Sequence, residues 1–326
     1  MSATQISSQL MSRARPLFSS VDQKPLKRIL LSEGQDNRVQ EAASQIAQLG
    51  FARVSLLCSE AIKPIPGVEI IPLHEHPKAH TGAKELCQRR AHKGMQLAEA
   101  QSLLKTPLFL AATLLQSNAY DAVISGAVHT TADVLKAGMY CLDKAAGTST
   151  ISSFFLMCFS NRPPLTYADC GVVPAPSASE LAEIALGAAY AHEKLTGESP
   201  RVAFLSFSTH GSAAHERVIS VKEALSIFRS KAPTILADGE LQFDAAFVPE
   251  IAARKCPTSS LNGNANVFIF PDLNSGNIAY KITERLAGAT ALGPIVQGFA
   301  KPWLDLSRGC SSEDIVKVAA IAALLS

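Results

Sequence analysis

Arg28-Ile-Leu-Leu-Ser-Glu-Gly-Gln-Asp36 is a short apolar run that ends in a turn, and a helical period over Arg38–Leu49 follows it. A run too short for a helix, closed by Gly and Asp and followed by residues with a 3.6 period, reads as strand–turn–helix. The same pattern recurs down the chain. Arg53–Cys58, Val68–Pro72 and Tyr120–Ser125 read as strands, and Lys84–Ala100, Leu108–Gln116 and Thr131–Cys141 as helices. Strands alternating with helices predict an α/β fold built on a mainly parallel sheet.

The texture changes near Lys144–Gly147, where a domain boundary is placed. Thr150–Phe159 and Thr166–Val173 are extended runs joined by the turn Arg162-Pro-Pro-Leu165, which suggests a hairpin. Alternation then resumes, with helices over Ser179–Leu195, Ala214–Arg229, Ile278–Leu286 and Ser312–Leu325. Strands are expected over Arg201–Ser206, Thr234–Ala237, Asn266–Phe270 and Leu292–Gln297.

Composition sets limits on function. The chain has 326 residues, enough for about two domains at ~100–200 residues each. Charged residues are 18% and aromatics 6%, with net charge +2, so there is neither a basic footprint for DNA nor a set of stacking platforms for single strands. The seven cysteines are scattered, without a CxxC pair, and suggest reduced thiols in a cytoplasmic protein. No segment reaches ~18 apolar residues, so no membrane span is expected. Met1–Lys27 lacks the apolar stretch of a secretory signal and is read as containing an amphipathic first helix over Gln9–Phe18.

In open α/β sheets, ligands bind beyond the carboxyl ends of strands. Four loops there are rich in Gly, Ser, Thr and Asn: Ser125–Thr131, Ser206–Ser212, Phe270–Asn277 and Gln297–Gly309. Such loops bring backbone N–H groups and hydroxyls to an anion, and four of them point to a phosphorylated ligand. The nucleotide motifs GxGxxG and GxxxxGK[ST] are absent, as are GxSxG and HExxH. His74-Glu-His-Pro-Lys-Ala-His80 is broken by Pro77 and is read as a solvated connection rather than a metal site. Arg89-Arg-Ala-His-Lys93 is a basic run, and Ser307-Arg-Gly309 offers a hydroxyl, a planar guanidinium and a pliable backbone shortly before Asp314.

Asp305-Leu-Ser-Arg-Gly-Cys310 resembles the C-terminal signature of the phosphate acetyltransferases (phosphotransacetylases). Ser125–Leu135, Tyr167-Ala-Asp-Cys170, Asp238–Asp244, Ala265–Asn274 and Gly276–Lys281 resemble that family too, so the likeness runs in order from about Arg28 to Ala323. The wording around Leu241–Lys255 is similar to the short ethanolamine-utilisation branch. The resemblance implies a two-domain α/β fold like that of isocitrate and isopropylmalate dehydrogenases, with the active site in the cleft between domains. Residues 1–144 with 299–326 would form a discontinuous catalytic domain and 145–298 an inserted one. It implies reversible acetyl transfer between acetyl phosphate and coenzyme A in a homodimer, with coenzyme A as a substrate and no metal or other cofactor.

Residue by residue, the resemblance maps the thiol base onto Asp314, the carbonyl-polarising hydroxyl onto Ser307 and charge stabilisation onto Arg308. An ordinary Asp is a weak base for a thiol near pKa ~8.5, so burial would have to raise Asp314 or Arg308 would have to depress the thiol. Arg90 matches an arginine that binds coenzyme A phosphates. The second such arginine is Lys136 here, which keeps the charge without the bidentate fork. Ser125, Thr130 and Thr131 are expected at acetyl phosphate, with Asn277, Tyr280 and Lys281 as further cleft groups. Tyr280 and Lys281 fit helix packing and surface equally well. The alternatives are propionyl or butyryl transfer, a non-catalytic acyl-coenzyme A sensor, and a dehydrogenase of the shared fold, which would need a nicotinamide site and a metal-binding carboxylate cluster; Asp238, Glu240, Asp244 and Glu250 are close in sequence but are read as packing and helix-cap residues.

Overall fold

A computed structural model describes Leu10, Arg13 and residues 25–326. Leu10 and Arg13 are helical, and the rest of the helix expected over Gln9–Phe18 lies outside the described residues. The elements in chain order are β1 (Arg28–Leu31), α1 (Asn37–Leu49), β2 (Arg53–Cys58), β3 (Val68–Pro72), α2 (Pro77–Arg89), α3 (Leu97–Leu103), α4 (Pro107–Gln116), β4 (Ala122–Ser125) and α5 (Thr131–Cys141). They continue as β5 (Ser152–Cys158), β6 (Leu165–Ala168), α6 (Ala178–Thr196), β7 (Arg201–Leu205), α7 (Glu216–Lys231), β8 (Leu236–Leu241), α8 (Phe243–Phe247) and α9 (Pro249–Lys255). The last are β9 (Val267–Ile269), α10 (Leu273–Leu286), β10 (Thr290–Gln297), β11 (Trp303–Asp305) and α11 (Ser312–Leu325).

Residues 147–298 form one compact unit, and the described residues up to 146 form another together with 299–326. The second unit holds a five-stranded sheet in the order β11-β4-β1-β2-β3, parallel throughout. Ile29, Leu30 and Leu31 are all fully buried, as strands covered on both faces require. The chain steps outward from β1 through β2 to β3, then returns to the other side of β1 as β4. The turns after β1 and β4 therefore leave the sheet in opposite directions, which is the switch point where α/β sheets bind ligands. Trp303 of β11 is fully buried, and its Nε1 donates to the Val134 carbonyl of α5 (2.9 Å) over Gly138.

The other unit holds a six-stranded sheet, β10-β5-β6-β9-β7-β8. β6, β9, β7 and β8 run parallel, while β5 is antiparallel to both β6 and β10. Its core packs Phe155, Met157, Tyr167 and Phe268. The expected hairpin is β5–β6, but β6 stops at Ala168. There the buried Asp169 carboxylate takes the N–H groups of Gly171, Val172 and Val173 and turns the chain away.

Other expected elements differ too; the strand expected over Thr234–Ala237 is β8, shifted to Leu236–Leu241. The single helix expected over Lys84–Ala100 is α2, a 3₁₀ turn over Ala91–Lys93, and α3, because Gly94 at φ +74° breaks the helical path. His76 caps α2 and Pro77 occupies its first turn, so the histidine stretch starts a helix rather than forming a solvated connection. The helix expected to begin at Ile278 begins at Leu273, where the Asp272 carboxylate accepts the Ser275 N–H (2.9 Å).

Candidate active site

The turns after β1 and β4 meet through three buried polar links. Ser32 Oγ and Ser125 Oγ share a hydrogen bond of 2.7 Å, and the Ser32 N–H donates to the Ile124 carbonyl (3.1 Å). The Glu33 carboxylate then collects the N–H groups of Ala127, Val128 and His129 at 2.7, 3.1 and 2.9 Å, and the His129 ring Nδ1 at 2.6 Å. Burial alone would push the Glu33 carboxyl up, but the hydrogen bonds from His129 and Val128 outweigh it and hold the group below its usual range. The hydrogen bond to Glu33 raises His129 in turn, so the two form a partly buried ion pair.

Asp36 caps α1 and accepts the Arg38 N–H (2.8 Å). The Arg38 guanidinium grips Asp36 with Nε (3.0 Å) and Nη2 (2.8 Å). Its remaining hydrogens reach the carbonyls of Ala127, Arg308 and Cys310 at 2.8, 2.8 and 2.9 Å. One planar fork thus joins the loop after β4 to the loop after β11. Sequence reading missed both Glu33 and Arg38. Both sit in the turn-and-helix start of the opening stretch, where an acid or a base passes for an ordinary cap or surface charge.

The Ser307–Gly309 loop is exposed and leads straight into α11. Ser307 Oγ accepts the Gly309 N–H (3.2 Å), and the Ser307 carbonyl accepts from Cys310 (2.9 Å). The Arg308 side chain has no hydrogen bond or ion pair among the described residues, although Arg38 fixes its carbonyl. Asp314 forms a capping box with Ser311, whose hydroxyl and N–H donate to Oδ2 at 2.8 and 3.1 Å, and Lys317 Nζ lies 3.3 Å from Oδ1. Burial pushes the Asp314 carboxyl up, but the Ser311 and Lys317 contacts prevail and leave it below its usual range. On balance, burial therefore does not raise Asp314 here.

Asp305, at the end of β11, pairs in register with Ser125, is buried, and accepts the Thr131 hydroxyl (2.5 Å). The Thr130 hydroxyl caps α5 and donates to Asp133 (2.6 Å), so its hydrogen is already committed. Ser125 is fully buried and spends its hydroxyl on Ser32. Of the three expected acetyl phosphate contacts, Thr131 is the one half-open to solvent with its partner behind it.

Arg90 and Lys136 come together on one ring. The Arg90 guanidinium stacks on Tyr140 at 4.0 Å from the ring centre, and Lys136 Nζ, one helical turn earlier on α5, lies 5.7 Å from the same centre. Arg89 instead pairs with Asp143 (2.5 Å), which also accepts from Gln116 (2.7 Å).

Asn277, Tyr280 and Lys281 belong to the unit formed by residues 147–298, on α10. Asn277 Nδ2 donates to the Cys170 carbonyl (3.1 Å). Tyr280 stacks on Phe155 with centres 4.0 Å apart, and Lys281 Nζ lies 5.7 Å from the centre of the Tyr280 ring. Three of the four acids of the alternative metal cluster are engaged elsewhere, and the fourth, Glu250, is exposed. Asp238 pairs with Arg229 (3.1 Å), Glu240 accepts from Ser208 (2.8 Å) and Gly211 (2.7 Å), and Asp244 pairs with Lys255 (2.8 Å).

A family model described as phosphate acetyl/butaryl transferase matches residues 7–323. The chain is similar to the phosphate acetyltransferase of Clostridium acetobutylicum, 44% identical over 309 residues that cover 90% of this chain and 93% of that one. It is 46% identical to the phosphate acetyltransferase of Paracoccus denitrificans over 303 residues, 91% and 94% of the two chains. Among solved structures it is similar to a phosphotransacetylase from Streptococcus pyogenes, with TM-score 0.90, 36% identity and 99% and 98% coverage. The EutD phosphotransacetylase from Staphylococcus aureus superposes with TM-score 0.87 at 33% identity, over 98% of each chain.

Proposed function

Because this chain belongs to the phosphate acetyl/butaryl transferase family, we propose that the loops after β1, β4 and β11 carry its reaction. That reaction is the reversible transfer of an acetyl group between acetyl phosphate and coenzyme A. The coenzyme A sulfur attacks the acetyl carbonyl carbon. A C–S bond forms, the bond from that carbon to the phosphate oxygen breaks, and phosphate leaves with the electron pair.

In this reading Arg308 binds the phosphoryl group and stabilises charge as phosphate departs, Ser307 polarises the carbonyl, and Asp314 receives the thiol proton. The observation that carries it is the contrast within Arg308: its backbone is pinned by Arg38 while its guanidinium has no partner among the described residues. A positively charged fork held ready beside a hydroxyl suits charge that develops only in the transition state. Asp314, held low by its cap, compensates through position and through a thiol made more acidic by Arg308. Arg90 and Lys136 take the phosphates of coenzyme A; their shared seat on Tyr140 supports this role, with Lys136 supplying charge but no fork. Thr131 contacts the phosphoryl group, and Ser125 and Thr130 shape the loop around it. Asn277, Tyr280 and Lys281 have the lowest rank among the substrate contacts, since the first two are already engaged in packing.

Coenzyme A is a substrate here and no further cofactor is required. Residues 1–144 with 299–326 are read as the discontinuous catalytic domain and 145–298 as the inserted one, a division that the two compact units support. The seven free cysteines support a cytoplasmic setting. A homodimer is supported by Ile278, Ile282 and Leu286, exposed at 56, 52 and 84% in one stripe along α10.

The test is coenzyme A-dependent phosphate release from acetyl phosphate. Arg308→Ala should reduce kcat by roughly 10²–10³-fold with the fold intact. Turnover at the parent rate in that variant would overturn the assignment.

A further inference from the structure

Asp305 is 2% exposed, and its two carboxyl oxygens differ sharply. Oδ2 accepts from Thr131 Oγ1 (2.5 Å). Among the described residues Oδ1 has no hydrogen-bond partner, and it lies against Gly126, whose φ of +100° and missing side chain make the room: a Cβ there would collide with it. The charged groups on the surrounding elements are Glu33, Asp36 and Arg38 around the β1–α1 turn, His129 and Asp133 at the start of α5, and Arg308 on the same loop. Arg38 is spent on Asp36 and three carbonyls, and His129 on Glu33. No cation is paired with Asp305 among the described residues. Burial pushes its carboxyl up to about 6, with the Thr131 hydrogen bond and the nearby Leu306 N–H opposing the shift and Glu33's charge adding to it.

A threonine hydroxyl has one hydrogen. Facing an ionised carboxylate, Thr131 must give that hydrogen to Asp305, and only lone pairs remain for a ligand. Lone pairs repel a phosphoryl oxygen. Facing a protonated acid, Thr131 accepts the acid's hydrogen, and its own is free to point outward.

We infer that Asp305 takes up a proton when acetyl phosphate binds, reversing the Thr131–Asp305 hydrogen bond so that Thr131 donates to the phosphoryl group. The proton comes from solvent onto Oδ2 and returns on release, and no bond of the ligand changes. Asp305 acts through Thr131 and is a positioning residue. The inference rests on the reading that Thr131 contacts the phosphoryl group, which the experiment tests separately.

The measurement is KM for acetyl phosphate between about pH 6 and pH 8, a range in which its own charge is constant. In the parent enzyme KM should rise roughly tenfold across that range as Asp305 ionises in the free enzyme. Asp305→Asn carries a permanent N–H donor toward Thr131, so its KM should be flat with pH and lower than the parent's near pH ~8. Thr131→Val should raise KM at every pH and leave it flat. A parent-like KM in Thr131→Val overturns the phosphoryl contact itself. A raised KM in Thr131→Val together with a parent-like pH slope in Asp305→Asn overturns the proton uptake alone. Should Asp305→Asn fail to fold, calorimetry of acetyl phosphate binding without coenzyme A decides, run near pH ~7.5 in buffers of high and low ionisation enthalpy. The parent should take up a fraction of a proton that Thr131→Val does not, and equal heats in the two buffers for the parent overturn the inference.

Discussion

Glu33 does at one carboxylate what a run of backbone hydrogen bonds does in a regular element: it fixes three consecutive N–H groups of the Ala127–His129 loop. The His129 ring completes the set and makes the arrangement sensitive to pH. Glu33 is depressed from its ordinary 4.5, so its share of stability is present above that value and fades as pH falls through the lowered one. His129 is raised from 6.5, so its share is fully present below 6.5 and is lost as pH rises through the raised value. The pair therefore works at full strength between 4.5 and 6.5. Urea unfolding should find His129→Gln less stable than the parent by about 1–2 kcal/mol in that window, with the gap shrinking at alkaline pH. A gap that grows with pH would contradict the ion pair.

At the scale of elements, the site depends on how closely α5 and β11 approach. Gly138 of α5 faces the rings of Trp303 and Phe299, and a Cβ there would lie 2.9 Å from Trp303 Nε1 and 2.8 Å from Phe299 Cζ. Trp303 is fully buried and cannot swing aside. Gly138→Ala should destabilise the protein by about 1–3 kcal/mol despite the gain in helix propensity, read as a lowered midpoint of thermal unfolding. It should also reduce turnover, because β11 carries Asp305 and leads into Ser307 and Arg308. Unchanged stability would show that the two elements have slack. This approach was not legible in the sequence. Trp303–Asp305 is three residues long and lies inside a stretch read as a loop, so it had no periodicity to reveal it. By contrast α5 and α11 run as read, over Thr131–Cys141 and Ser312–Leu325, because a capping hydroxyl and a regular apolar period mark both.

At the scale of the whole molecule, the apolar stripe Ile278, Ile282 and Leu286 repeats every four residues on one face of α10. The proposed homodimer predicts that Ile282→Asp combined with Leu286→Asp shifts sedimentation from dimer to monomer while leaving unfolding of the single chain within about 0.5 kcal/mol, as surface changes do. A dimer that survives both substitutions would place its interface elsewhere.

The strand–helix alternation, the four polar loops at strand ends and the Ser307–Arg308–Asp314 signature can all be read from the residues in order. Periodicity, capping and turn chemistry are local properties, and a signature is a string. Tertiary structure alone decided what those groups can do. Glu33 finds its amides 94 to 96 positions away, and Arg38 reaches carbonyls 270 and 272 positions away. Asp314, for which burial was one of two routes to base strength, is held low by its own helix cap and by Lys317, while Asp305 is raised by burial. Charge state and hydrogen-bond direction are set by burial and by partners, and the fold brings both from the far ends of the chain.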